Sequence, residues 1–418
     1  MDKGSTRVRR RTTCRLCSSS DLALAFSLAP TPPANAFVTA DHLNEIQEVF
    51  PLDVFFCGAC THLQLLDVVD PGVLFERYVY VSGTSAAFVQ HFEKMSDELA
   101  DLAGPLAGRL IVDIGSNDGT LLRAFQRRHQ ARTLGIDPAR NLAAEATASG
   151  VETIASFFST DLARNIVEER GHAAVIAANN VFAHIDDLAE VAEGVKALLA
   201  PDGFFAFEVS YLLDVVEKTL FDTIYHEHLD YHAVRPLIPF LQSHGLELVE
   251  AIRVPTHGGS LRGIARHKGV SSREGNSVSN ALSLELQWEL QRLSTYTGMA
   301  ARIARLGDEL RSLLERLRSQ GKTIAGFGAP AKATTLMYHF RIDRDCIDFI
   351  VDDNPLKQNT YSPGLHVPIV AASMLEERRP DYLLILAWNF ADAIIEKTKR
   401  FAELGGKYIV PLPTVRVL

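Results

Sequence analysis

The stretch from Leu110 to Gly119, LIVDIGSNDG, constrains this chain more than any other. Its first residues form an apolar run without alternation, which is how a strand buried on both faces of a parallel sheet reads. The glycines that follow let backbone approach a ligand closely. The amphipathic stretch Thr120 to His129 then opens a helix whose first N–H groups have no intrahelical partner. Strand, small-residue loop and helix in that order begin a βαβ binding unit. A chain with such a unit has to cover both faces of a sheet with helices, so an α/β fold is expected.

The loop is Gly115-Ser116-Asn117-Asp118-Gly119, without the full glycine set of dinucleotide binders. Asp118 would repel a phosphate, whereas a ligand ammonium tolerates it, so the loop suits a nucleoside with an amino-acid end. S-adenosylmethionine (SAM) is the natural candidate. The next strand, Arg132 to Ile136, ends at Asp137, about twenty residues after the loop, where an acid commonly holds ribose hydroxyls. A doubly wound domain can also carry a Gly-rich turn and a later acid by chance. Loop and acid together resemble the motif of SAM-dependent methyltransferases.

Two Cys-x-x-Cys knuckles precede this unit, Cys14/Cys17 and Cys57/Cys60, and Cys346 is the only other cysteine. Paired knuckles of this kind point to a tetrahedral four-cysteine zinc site, with a redox pair as the alternative. Four thiolates close the coordination shell, so the zinc is expected to be structural. The long linker between the knuckles holds Pro30, Pro32 and Pro33. At 418 residues the chain exceeds one compact domain. A net charge of −9 argues against a nucleic-acid surface. The Arg7, Arg9, Arg10, Arg11 cluster reads as a solvated tail. No apolar run reaches bilayer length and no signal peptide opens the chain, so a cytoplasmic protein is expected, as a monomer or weak homo-oligomer.

Strands are expected near 110–114, 132–136, 151–155, 173–178 and 204–209, with helices near 119–130, 140–149, 159–170, 186–200 and 235–244. A closing hairpin is expected from Leu246 to Val254 and Ser260 to His267. Ligands in such sheets bind beyond the carboxyl ends of the strands. Asn179, Asn180, Phe182 and His184 follow the fourth strand there. Residues 271–282 are polar and read as a linker. The stripe Ile303, Leu306, Leu310, Leu313, Leu317 suits packing within the chain or a coiled coil. A second βα unit opens at Lys322 with the turn Gly326-Phe327-Gly328, where Lys332 at a helix start suits phosphate. Another strand ends at Asp352 and Asp353. The expected layout is a zinc-binding domain over 1–76, a SAM-binding domain over 77–270 and a second Rossmann-like domain over 271–418.

Before helix 235–244 lies Tyr225-His226-Glu227-His228-Leu229-Asp230-Tyr231-His232, too polar for an ordinary core. A metal site and a functionless solvated loop are both compatible with it. General acid/base duty is favoured, because burial and mutual contact draw His and Glu pKa values toward neutrality. Such a pair is what methylation at carbon requires, since a proton must leave a carbon acidified by a carbonyl. Tyr78 and Tyr80, two apart on one face of an extended segment, serve either interdomain packing or the site.

Taken in order, the four cysteines, G-S-N-D-G, Y-H-E-H, H-G-G-S (His257 to Ser260), G-F-G-A-P-A-K, D-D-N-P-L-K-Q (Asp352 to Gln358) and L-A-W-N (Leu386 to Asn389) resemble the zinc-containing sugar C-methyltransferases of deoxysugar biosynthesis. The resemblance spans nearly the whole chain. It implies a class I methyltransferase domain between the zinc and second Rossmann-like domains. The reaction implied is transfer of methyl from SAM to C-3, in some members C-5, of a TDP-linked 4-keto-6-deoxysugar. Heteroatom methylation and a non-catalytic SAM-binding scaffold are the alternatives. The resemblance puts Tyr225, Glu227, His228, His184 and one of Tyr78 and Tyr80 at the active site, with His228 or Glu227 as base. It puts Lys332, Asp352, Lys357, Trp388 and Asn389 near the nucleotide, and Ser260, Arg262 and Asn354 complete the expected substrate set. Gly115 to Gly119, Asp137 and Asn179 are the expected SAM contacts. Asp230-Tyr231-His232 departs from the pattern, which puts the identity of the sugar in doubt.

Overall fold

The computed structural model describes residues 7–75, 83, 86–270 and 275–418. Tyr78 and Tyr80 lie outside the described residues. The central element is a seven-stranded sheet in the order Leu246–Val254, Ser260–His267, Leu199–Ser210, Ala173–Asn179, Leu110–Ile114, Arg132–Ile136, Thr153–Ile154. All residues of Leu110–Ile114 are buried, as expected of an inner strand of a doubly wound sheet. Five crossovers through helices keep the strands parallel, and Ser260–His267 alone runs against its neighbours. Elements expected from the sequence fall within a few residues of those observed, and the closing hairpin has the expected limits.

The zinc module is an antiparallel sheet of Leu22–Thr31, Phe50–Cys57 and Leu63–Leu65, completed by Asp230–Tyr231 from beyond the Tyr225–His228 stretch. That borrowed strand fastens the module to the central domain. The arginine cluster is not a solvated tail. Val8–Arg10 pairs with Asp67–Val69, Arg9 and Arg11 reach Asp186, and Arg10 reaches Asp67 at 2.8 Å. Carboxylates waiting on neighbouring elements give these cations partners, which composition alone does not reveal.

The C-terminal sheet has the order Thr360–Tyr361, Pro368–Val370, Ile350–Val351, Ile324–Phe327, Tyr382–Ile385, Lys407–Val410, Arg416–Val417, five parallel strands with an antiparallel strand at each edge. The expected linker ends early, because Ser277–Gln287 is helical. In the helix Leu293–Ser319, Ile303, Leu310, Leu313 and Leu317 are buried in a core continuous with both sheets, so the stripe packs within the chain. The helix Ala331–Phe340 is gripped from two sides: Thr334 donates to the Ala34 carbonyl at 2.9 Å and Thr335 to the Ile224 carbonyl at 2.8 Å. All three modules therefore meet at the helix that follows the second glycine turn.

Candidate active site

The sulfurs of Cys14, Cys17, Cys57 and Cys60 all lie within 4.8 Å of one another. Cys14 and Cys60 are 3.6 Å apart, as are Cys17 and Cys57. A tetrahedron with Zn–S bonds of about 2.3 Å has edges of roughly 3.8 Å, so the donor set and its spacing fit zinc. Cys346 is buried elsewhere and takes no part.

A cavity of about 550 Å³ lies beyond the strand ends, lined at once by all three modules. At its first end are Gly115, Ser116, Asn117, Asp137 and Asn179, all expected SAM contacts. Gly115 has φ +70°, and a Cβ there would fall 2.2 Å from Val181, so the turn demands glycine. Asp137 accepts the N–H of Asn117 at 2.8 Å and of Ala139 at 2.9 Å, and burial pushes its carboxyl up. Both amide atoms of Asn179, Ser116 Oγ and Asp113 Oδ1 have no hydrogen-bond partner among the described residues. Buried polar groups normally find partners, so this end fits a ligand with a ribose and an amino-acid tail. Asp113 was not expected there. It hides as the one acid in an apolar strand, and burial with Asp137 nearby raises it to about 8. Asp118 and Gly119 do not line the cavity. The Asp118 carboxylate turns to the helix start, where it accepts from Thr120 Oγ1 at 2.7 Å and pairs with Arg123 at 3.2 Å.

The middle of the cavity holds Tyr225, Glu227, His228, His184 and His257, with Asn35 from the zinc module. His228 donates Nδ1–H to the Thr223 carbonyl at 2.7 Å, which turns Nε2 outward as an acceptor. Its ring lies 4.1 Å from that of Tyr225 and stacks on His184 at 5.0 Å. Burial lowers the His228 imidazole to about 4, so it is neutral at physiological pH. Burial and the neighbouring His228 and His257 hold His184 well below its ordinary value. Glu227 is buried with an Asn35 amide on its carboxylate at 2.9 Å, and burial raises it to about 7. His226 points the other way, donating to the Phe50 carbonyl at 3.2 Å. His257, in the H-G-G-S motif, was not singled out as a site residue. Its φ of +53° was the missing signal, invisible in sequence.

Asp230, Tyr231 and His232 are buried away from the cavity, contrary to the expectation that they bear on the substrate. Asp230 bonds His62 at 2.6 Å, and His232 stacks on Phe182 at 5.2 Å. These polar side chains are core after all, because they pair with one another across the zinc module. Ser260 and Arg262 also miss the cavity. Ser260 donates to the Thr256 carbonyl at 3.0 Å, and Arg262 is fully engaged by Glu208 and Glu98.

The far end is lined by Lys332, Asn354, Lys357 and Asn389. Lys332 lies 3.7 Å over the Trp388 ring and donates to Asn389 at 2.6 Å. Trp388 stays behind it, its indole N–H held by Asp222. Burial brings the Lys332 ammonium down to about 8 and lowers Lys357 as well. Asp352 sits behind the loop, accepting N–H groups of Ala329 at 2.7 Å and Asn354 at 2.8 Å. Among the described residues no helix is long and apolar enough to cross a membrane.

Three family models match in sequence: a zinc binding domain over residues 14–75, a methyltransferase domain over 87–251 and a C-methyltransferase C-terminal domain over 255–413. The C-methyltransferase NovU of Streptomyces niveus is 37% identical over 405 residues, 97% of this chain and 96% of that protein. Among solved structures, an S-adenosylmethionine-dependent methyltransferase from Clostridium acetobutylicum overlays on 43% of this chain and 92% of its own, with a TM-score of 0.35 and 13% identity. Magnesium protoporphyrin IX methyltransferase from Synechocystis overlays on 43% of this chain and 83% of its own, with a TM-score of 0.33 and 17% identity. With a relative this similar along nearly its full length, the chain belongs to the zinc-containing, SAM-dependent C-methyltransferases.

Proposed function

We propose that the protein methylates carbon C-3, alpha to the ketone of a TDP-linked 4-keto-6-deoxysugar, in deoxysugar biosynthesis. The observation that carries this reading is the single cavity on which a SAM-type loop, a histidine and carboxylate cluster and two lysines, Lys332 buried and Lys357 half-buried, converge. SAM, when bound, supplies the electrophilic methyl group. Asp137, Ser116 and Asn179 bind it at the first end. The nucleotide diphosphate takes the opposite end, where Lys332 and Lys357 offer positive charge and Asn354 and Asn389 offer amides.

Between the two ends, His228 Nε2 accepts the proton from C-3. The C–H electron pair becomes the C-3–C-4 double bond, and the carbonyl π pair moves to the C-4 oxygen. Tyr225 or His184 donates to that oxyanion, and preorganised donors of this kind are commonly worth about 3–4 kcal/mol. Glu227 orients the site or takes the proton itself, with Asn35 fixing its carboxylate. Oxygen or nitrogen nucleophiles need only positioning, so a buried acceptor imidazole beside a carboxylate favours carbon.

A panel of TDP-4-keto-sugars incubated with protein and SAM and read by mass spectrometry tests the substrate. Deuterium wash-in at the substrate carbon without SAM tests the enolate. A methylated hydroxyl or amine with no wash-in would sink the carbon assignment.

A further inference from the structure

Arg15 stands inside the first knuckle, between Cys14 and Cys17, yet its side chain leaves the zinc module. That side chain is 0% exposed. Its Nε meets Asp186 Oδ1 at 3.0 Å. Its Nη1 donates to Gln64 Oε1 at 3.3 Å, to the Leu65 carbonyl and to the Leu229 carbonyl at 3.5 Å, and Asp230 lies 3.8 Å from Nε. Two of these partners flank the imidazoles that stack in the cavity. Asp186 follows His184 by two residues, and Leu229 directly follows His228. The two segments are also bonded to each other, Leu229 N–H to the Ala183 carbonyl at 2.8 Å.

A guanidinium is a flat, preorganised fork, so it fixes several acceptors in one plane where an ammonium would not. Arg9 and Arg11 also reach Asp186, but among the described residues their side-chain hydrogen bonds go to Asp186 and Thr13 and not to the Leu229–Asp230 segment. Arg15 thus spans both imidazole-bearing segments from a point anchored by two zinc-ligand cysteines.

We propose that Arg15 is a positioning residue for proton transfer: through Asp186 and the Leu229 carbonyl it sets the spacing and tilt of the His184 and His228 rings. The zinc module, closed to chemistry itself, thereby holds the geometry of the reaction. This rests on the reading of His228 as proton acceptor.

The test uses full-length, zinc-loaded protein carrying Arg15→Lys, Asp186→Asn or Arg10→Gln, with a TDP-4-keto-6-deoxysugar that the wild type turns over. Zinc content, SAM affinity by calorimetry, kcat, KM and deuterium wash-in without SAM are measured. Arg15→Lys and Asp186→Asn should keep zinc and SAM affinity, while kcat and wash-in fall together by about tenfold or more at little change in KM, since small misplacements of reacting groups cost that much. Arg10→Gln, whose guanidinium pairs with Asp67 and not with Asp186, should stay near wild type. Zinc-bound Arg15→Lys with wild-type kcat and wash-in overturns the proposal, as does an equal loss in Arg10→Gln. If Arg15→Lys loses its zinc or fails to fold, Asp186→Asn decides, and wild-type turnover there overturns it. His228→Ala run alongside separates the two readings. Retained wash-in in that variant removes the base assignment, whereas lost wash-in there with wild-type rates in Arg15→Lys and Asp186→Asn removes only the positioning role.

Discussion

The two Rossmann-like halves use one device twice. In each, the first strand runs into a glycine at positive φ, Gly115 at +70° and Gly328 at +87°. In each, an acid ending the neighbouring parallel strand ties down the loop and its own turn: Asp137 accepts from Asn117 and Ala139, and Asp352 from Ala329 and Asn354. The halves differ in what the loops then present. The first offers unpartnered neutral and acidic groups, Ser116, Asn179 and Asp113. The second offers two ammonium groups, that of Lys332 buried and that of Lys357 half-buried. A repeated backbone scaffold therefore fixes where a ligand sits, and a few side chains decide its charge.

The largest expected effect separates chemistry from binding. General acid/base groups typically contribute on the order of 10²–10⁴ in rate, so His228→Ala should lose that much kcat, with deuterium wash-in, while SAM affinity stays. Lys357→Gln should raise KM and leave kcat alone, the signature of lost uniform binding. A kcat loss in Lys357→Gln as deep as that in His228→Ala would break the division between the halves.

A smaller effect tests the repeated device itself. Asp137→Ala and Asp352→Ala each strip two backbone N–H groups of their acceptor, and unpaired buried polar groups cost about 1–3 kcal/mol. Calorimetry should find SAM affinity weakened in the first variant and TDP affinity in the second. Either substitution weakening both ligands alike would mean that the halves do not bind separately.

Much of this was legible in the sequence because it rests on local signals. Leu110–Ile114 and the five helices behind it follow from periodicity, and the cysteine spacing names its metal. Long-range partners were not legible. Asp230 and His232 read with the acid/base cluster rather than as core because their stabilising contacts, Arg15 and His62, lie far away in the chain. The Arg9 and Arg11 partner, Asp186, is equally distant. Arg262 read as a substrate ligand because nothing local announces Glu98 and Glu208. Short strands such as Thr360–Tyr361 escaped because two residues carry no periodicity. Strand-like alternation would put His226 and His228, two apart, on one face; the structure turns them in opposite directions because the segment is a turn, the His228 N–H bonding the Tyr225 carbonyl at 2.8 Å.

The smallest expected effect is a difference in the sign of pH dependence between the halves. Burial raises Glu227 to about 7, so its carboxylate forms as pH rises through that value. Burial lowers Lys332 to about 8, so its positive charge disappears as pH rises through that value. The chemical half therefore gains an anion above pH 7 while the nucleotide half loses a cation above pH 8. Wild-type kcat should climb near pH 7, and Glu227→Gln should flatten that limb. TDP affinity should weaken a few-fold above pH 8, with the midpoint pushed upward once the diphosphate sits against the ammonium. Lys332→Gln should bind TDP more weakly throughout and show no such limb. Calorimetric TDP titrations across this range check it: an unchanged alkaline limb in Lys332→Gln would assign the titration to another group and take Lys332 away from the diphosphate.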